Sequence, residues 1–563
     1  MKFRKNIYAI SISAAMLALA GCGITPQDEG LGDSKSKPMS GVVVDGYLAG
    51  ATVYVDVNEN NKLDAWETRA LTDMRGYFSY RPAYTKNGTD FPAINYCEIP
   101  DSIHCLKAPA GYSEVMVRMT QGYDLATAEP FTGTISMRMN VESAVVTSPV
   151  AATPITGLLA EVPAADMDAF LVNEGLTNDI SKADFLDFEN SLTGPERRLL
   201  FTLALQAHKI SDVVAGELDI LYGTANGSTG FFGVNESVPV DASSYVYKAM
   251  VSEAIRTGDT LNTILTNAVS MQLVIEEAIA NINQYVIDEF NDRLPQDLVT
   301  EQPENPADML QPIAIGDVAA GTDAKMVTLA STIESVFTAV LATETFTDSQ
   351  SVVFNYTVKD DTVSRLRAID AVVWLMKNNG TTGEITNAVD LATTDAVYLT
   401  NLKHPAVNMA SLKSKFKAGV VVTGDSNFAA RKSFNQLVTE GSSPFTATEA
   451  GAQVNSEGFG GNRLALDSPD GDAVSVDFGG AGDDTSGDVT IDASFLGGDF
   501  AKKDEAGNTV PLELEGTWEK VDDYTMIMNI EVTDGVFEPV IVKPNDDGSG
   551  YYFDLGGEQV VWQ

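Results

Sequence analysis

The chain has 563 residues, 44% of them hydrophobic, and sets 79 acidic side chains against 36 Lys and Arg, a formal charge of −43. A field of that sign repels phosphate backbones and anionic headgroups, so nucleic acid is excluded as a partner, while solubility and cation accumulation are favoured. The hydrophobic content is that of a globular protein, and the length suggests about three or four domains.

Lys2, Arg4 and Lys5 precede an uncharged apolar run from Ile7 to Leu19, which is too short to span a bilayer and has the layout of a secretory signal. The run ends in Leu19-Ala20-Gly21-Cys22, which resembles the lipobox of bacterial lipoproteins. The alternative is an ordinary signal peptide with a chance Cys22. The resemblance implies a signal over residues 1–21, lipidation of Cys22, and a mature chain held to a membrane by several acyl chains, because one chain alone anchors only marginally. In such lipoproteins an Asp after the cysteine favours inner-membrane retention; Gly23 stands there, which implies the outer membrane, facing periplasm or exterior. Residues 22–40 carry the lipidated cysteine and a polar, Gly- and Ser-containing tether. With Cys22 taken by lipid, Cys97 and Cys105 remain as a pair in an oxidising compartment and are expected to form a structural disulfide. His104 beside them leaves a metal set incomplete.

From 41 to 150 the pattern is β. Val42–Val44, Thr52–Val55, Tyr77–Tyr80, Glu114–Val117 and Phe131–Ser136 are short β-prone runs between turns, consistent with a small sandwich in which residues 81–112 are an insertion. Residues 151–345 are expected to be helical. Leu199, Leu203, Ala207, Ile210, Val214, Leu218 and Leu221 mark one buried stripe. A longer stripe runs from Leu261 to Phe290, with Asp259 or Thr260 as N-cap and Pro295 as stop, and a Pro-rich linker follows over 295–322. His208, inside the first helix, reads as a packed or surface histidine. Helical spacing returns at Met326–Val340 and at Leu366–Met376, which Gly380 is placed to cap. Over 346–445 a mixed α/β region is expected, with neither period dominant after 381. The last part, 446–563, reads as an antiparallel β domain: Tyr524, Met526, Met528, Ile530 and Val532 alternate as in a half-buried strand. No fixed-period repeat is present, against a solenoid or propeller. The fold class expected is multidomain α+β: small β-sandwich, helical middle, C-terminal antiparallel β domain.

The strongest chemical constellation is Asp56-Val-Asn58-Glu-Asn60-Asn61-Lys62-Leu63-Asp64-Ala-Trp66-Glu67. Oxygen donors Asp56, Asn58, Asn60, Asp64 and Glu67 fall at positions 1, 3, 5, 9 and 12, with the Lys62 carbonyl at 7. Calcium takes six to eight such oxygens, and a terminal Glu can supply two. Position 6 needs positive φ and normally holds Gly; Asn61 is the next most tolerant residue. The alternative is an acidic turn without metal. Because Thr52–Val55 is a strand, this is a calcium loop in a β setting.

That context carries a resemblance. Val44-Asp45-Gly46-Tyr47-Leu48-Ala49-Gly50-Ala51-Thr52-Val53-Tyr54-Val55-Asp56, the loop, and then Thr72-Asp73-Met74-Arg75-Gly76-Tyr77-Phe78 resemble the collagen-adhesin B-type and carboxypeptidase-regulatory-like, prealbumin-like modules of bacterial surface proteins. Thr153-Pro154-Ile155-Thr156 is similar to the junction that follows such a module. The resemblance spans 41–80, thins over 131–160 and stops there; the cysteine insertion and Asn61 depart from it. It implies a structural or adhesive role, calcium stiffening the fold and no catalysis.

Other motifs fall short. Gly479–Asp484 matches the start of one calcium β-roll turn without the neighbouring turns such rolls share. Val420–Asn427 resembles the nucleophile block of GDSL-type esterases, but no histidine follows Ser426 to act as its base. Ser414-x-x-Lys417 lacks a later Lys-Thr-Gly. The expectation is a non-enzymatic, lipid-anchored cell-envelope protein, structural or adhesive, stabilised by calcium and meeting a cell-surface protein or glycan. The alternatives are a ligand- or glycan-binding lipoprotein, with Trp518, Tyr524, Tyr551, Tyr552 and Trp562 offering rings for stacking, and a hydrolase hidden among the many carboxylates.

Overall fold

The computed structural model describes residues 36–86, 89–142, 144–186, 192–226, 242–293, 318, 321–343, 360–403, 407–417, 422–424 and, from 445 onward, the strands named below, apart from a few single positions. The signal, Cys22, the tether up to residue 35, residues 295–317 of the linker expected over 295–322 and His404 lie outside the described residues, and the expected linker ends where Thr322 opens a helix. Two compact units divide the chain, one built on residues 14–402 with 415–425 and one on 403–414 with 426–563.

The first unit begins with strands β1 (Gly41–Val43), β2 (Thr52–Asp56), β3 (Arg69–Leu71), β4 (Tyr77–Phe78), β5 (Glu114–Thr120), β6 (Thr134–Asn140) and β7 (Val150–Ala152). One antiparallel sheet has the order β6-β5-β2-β3 and a second β7-β1-β4, with β7 parallel to β1, beside smaller two- and three-stranded pairings. Register decides which side chains meet. Val55 lies opposite Val117, which lies opposite Met137; Val53, Met119 and Ile135 form the next row. These join Val43, Phe78 and Ala152 in one core. The alternate positions Tyr54, Asp56, Arg118 and Ser136 point away from that core, yet all are buried. The helical region covers them. Its first helix, α1 (Pro154–Ala160), starts with a Thr153–Thr156 capping box, and Thr156 Oγ1 also donates to the Ser136 carbonyl at 3.0 Å.

The helices continue as α2 (Met167–Asn173), α3 (Gly194–Asn226), α4 (Ala242–Thr257), α5 (Leu261–Leu265), α6 (Ala268–Arg293), α7 (Thr322–Thr343), α8 (Asp360–Lys377), α9 (Thr382–Thr394), α10 (Ala396–Leu402) and α11 (Met409–Lys417). Leu203, Ala207, Ile210, Val214 and Leu218 are buried on α3 as the spacing predicts, but Leu199 is exposed, and Leu200, Phe201, Ala204 and Leu205 are buried as well. The helix is enclosed on more than one face. The stripe expected to be continuous from Leu261 is broken into α5 and α6. Thr260 is the N-cap of α5, Thr266 bonds back to the Asn262 carbonyl at 2.7 Å, and Asn267 Oδ1 accepts from the Val269 and Ser270 amides, restarting the helix. At the end of α8 the left-handed residue is Asn379 (φ 56°), not Gly380. Gly380 serves the approach instead: its amide donates to the Leu375 carbonyl, and a Cβ there would lie 2.8 Å from that oxygen. Over 346–445, expected as mixed α/β, the described residues are helical through α11 and extended only from Phe445. A Thr381–Glu384 capping box starts α9, whose threonine-rich end blurs the period in the sequence. No helix among the described residues is long and apolar enough to cross a membrane.

The second unit, which also takes in residues 409–414 of α11 and a short ribbon pairing Lys502–Lys503 with Thr509–Val510, has as its main sheet nine strands in chain order. They are β8 (Phe445–Ala447), β9 (Asn462–Asp467), β10 (Ala473–Phe478), β11 (Ser486–Asp492), β12 (Glu513–Asp522), β13 (Thr525–Thr533), β14 (Val536–Pro544), β15 (Tyr551–Leu555) and β16 (Glu558–Val561). Every pairing in it is antiparallel. Met526, Met528 and Ile530 alternate as expected, but Ile527 and Asn529 are buried too, so this part of β13 is covered on both faces rather than half-buried. Gly516, opposite Ile530, has no room for a Cβ, which would sit 2.0 Å from the Asn529 carbonyl. Helices and sheets segregate along the chain, an α+β organisation.

Candidate metal centre

The loop 56–67 leaves the end of β2. The strand's alternation puts Asp56 on the face away from the sandwich core, where it is fully buried. Its Oδ1 accepts from the Asn60 amide at 3.0 Å, and its Oδ2 from the Asn61 amide at 3.0 Å and from Arg118 Nε at 2.5 Å. Asn58 Oδ1 accepts from the Asn60 amide and Asn60 Oδ1 from the Lys62 amide. The amide nitrogens of Asn58 and Asn60 both donate to Asp64 Oδ2, at 3.0 and 3.1 Å. Glu67 closes the loop: Oε1 accepts from the Val57 amide at 2.7 Å and Oε2 from the Asp64 amide at 3.0 Å. Asp56, Asn58, Asn60, Asp64 and Glu67 therefore converge, and Asn61 has φ 63°, the left-handed conformation its place requires. Glu59 is left-handed as well, at φ 53°, which the spacing does not foretell.

Charge is concentrated here. Burial pushes the Glu67 carboxyl up; hydrogen bonds from the Asp64 and Val57 amides pull it down, and the neighbouring Asp56 and Asp64 push it up again. Arg138 holds Glu59 below its ordinary range through a two-pronged hydrogen bond, both contacts 2.9 Å. Among the described residues no group of three or more His, Cys, Asp and Glu side chains has metal-holding geometry. What the loop offers is mixed: three carboxylates, two side-chain amides and the Lys62 carbonyl. Oxygen donors of this kind suit a hard cation such as calcium and not a transition metal. Arg118 is the exception to the anionic lining and commits one oxygen of Asp56. Neither Arg118 nor Arg138 has a signal in the sequence, since both reach the loop only through the register of β5 and β6.

A second polar cluster joins the sandwich to α3. Asp45 and Asp124, from the sandwich, meet His208 and Lys209 of α3, and all four are buried. His208 Nδ1 lies 2.8 Å from Asp45 Oδ1, and Nε2 lies 3.1 Å from the Thr132 carbonyl. Lys209 Nζ is 3.2 Å from Asp45 Oδ2. Burial acts to raise the Asp45 carboxyl, but His208 and Lys209 outweigh it and hold the group well below the carboxylate range. Burial, then the charge of Asp45, pushes Asp124 up to about 6. His208 is thus a packed histidine, as expected.

The remaining expectations divide. Cys97 and Cys105 form a disulfide. His104 packs on the Tyr96 ring and places Nδ1 2.8 Å from the Leu71 carbonyl. Trp518, offered as a glycan-stacking ring, is only 1% exposed; Nε1 donates to the Gly479 carbonyl and its ring meets Phe478 edge-on. It is a core residue and cannot stack a sugar. Tyr524, Trp562, the side chains of Tyr551 and Tyr552, Ser426 and residues 480–485 lie outside the described residues, as does Cys22. The fold and loop define an α+β chain that carries an oxygen-lined loop on the end of a sandwich strand. Family models, curated proteins and solved structures offer no match to it.

Proposed function

We propose that this is a non-enzymatic, lipid-anchored protein of the bacterial cell envelope, structural or adhesive in role, whose N-terminal sandwich is stabilised by calcium in the 56–67 loop. The observation that carries the reading is the convergence of Asp56, Asn58, Asn60, Asp64 and Glu67 around left-handed Asn61. Calcium offsets the mutual repulsion of the loop carboxylates and would add its own bonds to a loop otherwise held by its amides and by Arg118 and Arg138. The lipobox-like Leu19–Cys22 supports anchoring, and Gly23 supports the outer membrane. A surface protein or glycan is the partner this reading calls for.

The test is calcium titration of the mature chain carrying Cys22→Ser, by calorimetry and thermal melting, beside an Asp64→Asn/Glu67→Gln variant. That variant spares Asp56, whose removal would strip buried Arg118 of its partner and confuse the result. Saturable binding that raises Tm, and that the variant loses, is the expected outcome. An absence of binding heat and of any Tm shift in the parent protein would overturn the calcium reading. Anchoring is tested separately: full-length protein should fractionate with membranes, and Cys22→Ser should release it.

A further inference from the structure

Several loop residues, ligand positions among them, also reach toward the helices. Glu59, at the fourth position, takes both Nη atoms of Arg138, and Arg138 Nε donates to the Ala160 carbonyl at 3.3 Å. That carbonyl is at the C-terminal end of α1, where the helix dipole favours a cation. Lys62, at the seventh position, contributes its carbonyl to the donor set and places Nζ 5.1 Å from the ring centroid of Tyr285 on α6. The Tyr285 ring in turn lies 5.6 Å from Tyr245 on α4. Asp56 accepts from Arg118, whose Nη1 donates to Ser136 Oγ at 2.8 Å, and the Ser136 carbonyl accepts from Thr156 of α1. Loop positions 1, 4 and 7 thus connect to α1 and α6, while positions 3, 5, 9 and 12 face inward.

We infer that a divalent cation in the 56–67 loop is a latch within the first unit, its binding coupled to the packing of α1 and α6 against the sandwich. The inference rests on the calcium reading of the loop and goes beyond it. Glu59 and Asn61 hold left-handed backbone that costs free energy. A cation that fixes the loop fixes the Glu59 and Lys62 side chains where Arg138 and Tyr285 need them. Coupling of this kind is reciprocal, so a residue on the helical side must influence cation affinity.

The experiment uses the mature Cys22→Ser chain with calcium chloride as the probe. Hydrogen exchange is followed with and without calcium, and calorimetry is repeated on Tyr285→Leu and Tyr285→Phe. Neither substitution changes charge or touches a ligating group. Calcium is expected to slow exchange in α1 and around Tyr285 as well as in the loop. Tyr285→Leu should weaken calcium binding roughly fivefold, at the low end of known couplings, and Tyr285→Phe, which keeps the ring under Lys62, should not. Calcium binding with protection confined to 56–67, and equal affinity in Tyr285→Leu, would overturn the latch and leave the calcium site standing. Absence of binding in the parent protein would remove both.

Discussion

At the scale of single residues, buried charge dominates. Arg118 and Asp56 are both enclosed, their contact is 2.5 Å, and each is the other's main charge partner. Removing one partner of such a pair leaves an uncompensated charge, and Arg118→Met should lower unfolding stability by about 3–5 kcal/mol. Urea denaturation of Arg118→Met, Asp56→Asn and the double variant measures this, and the double variant should lose less than the sum of the singles. Glu174 gives a pH prediction. It is buried at the end of α2, where burial pushes its carboxyl up to about 7 although the Leu261 amide donates to it. The folded state therefore holds a proton that the unfolded chain releases at lower pH. Stability from this group is fully present below the ordinary carboxylate range and is lost as pH rises toward and through 7, by up to about 3 kcal/mol. Glu174→Gln keeps the acceptor for Leu261 and should flatten that slope in melts between pH 5 and 8, measured in buffers of matched ionic strength.

Among elements, the difference between local and remote causes is visible in which features the chain's own pattern foretold. The Cys97–Cys105 bond closes a short loop within the insertion. Replacing both cysteines by serine should cost about 2–3 kcal/mol, read as a shift of the denaturation midpoint relative to the oxidised protein. Strand and helix positions were legible where periodicity carries burial, as at Val53 and Val55 or along α3. The break between α5 and α6 was not, because apolar residues keep helical spacing across it while the Thr266 and Asn267 side chains compete for the backbone. β13 departs from its pattern for a different reason: alternation reports a wet face, and here Ile527 and Asn529 are covered as well. The loop's ligand-type residues were legible because the spacing of its oxygen donors is a local property. Arg118 and Arg138 were not, since only strand pairing brings them there.

For the first unit as a whole, the sandwich and the helices share buried polar groups. Asp45 on the sandwich lies 2.8 Å from His208 and 3.2 Å from Lys209 on α3, Asp124 is buried beside it, and Asp212 of α3 binds both Thr132 and Lys377 of α8. Cutting after β7 would expose the faces of Arg118 and Ser136 and strand those carboxylates. A fragment of residues 36–152 is therefore expected to melt broadly and without cooperativity, whereas 36–402 should give one cooperative transition; circular dichroism melts of the two decide it. A sharp, stable transition in the short fragment would show that the sandwich stands alone. The sequence by itself determined the β character of 41–150 and of the last part, the helices that follow Pro154, the Cys97–Cys105 pairing and the donor spacing of the 56–67 loop, because periodicity, turn chemistry and ligand order are written within a few residues. The tertiary structure alone decided that the outer sandwich face is buried, that Arg118 sits under Asp56, that Trp518 is core and that the loop leans on α1 and α6. Those are contacts between residues tens to hundreds of positions apart, fixed by strand register and by which helix face meets which sheet, and no local pattern encodes them.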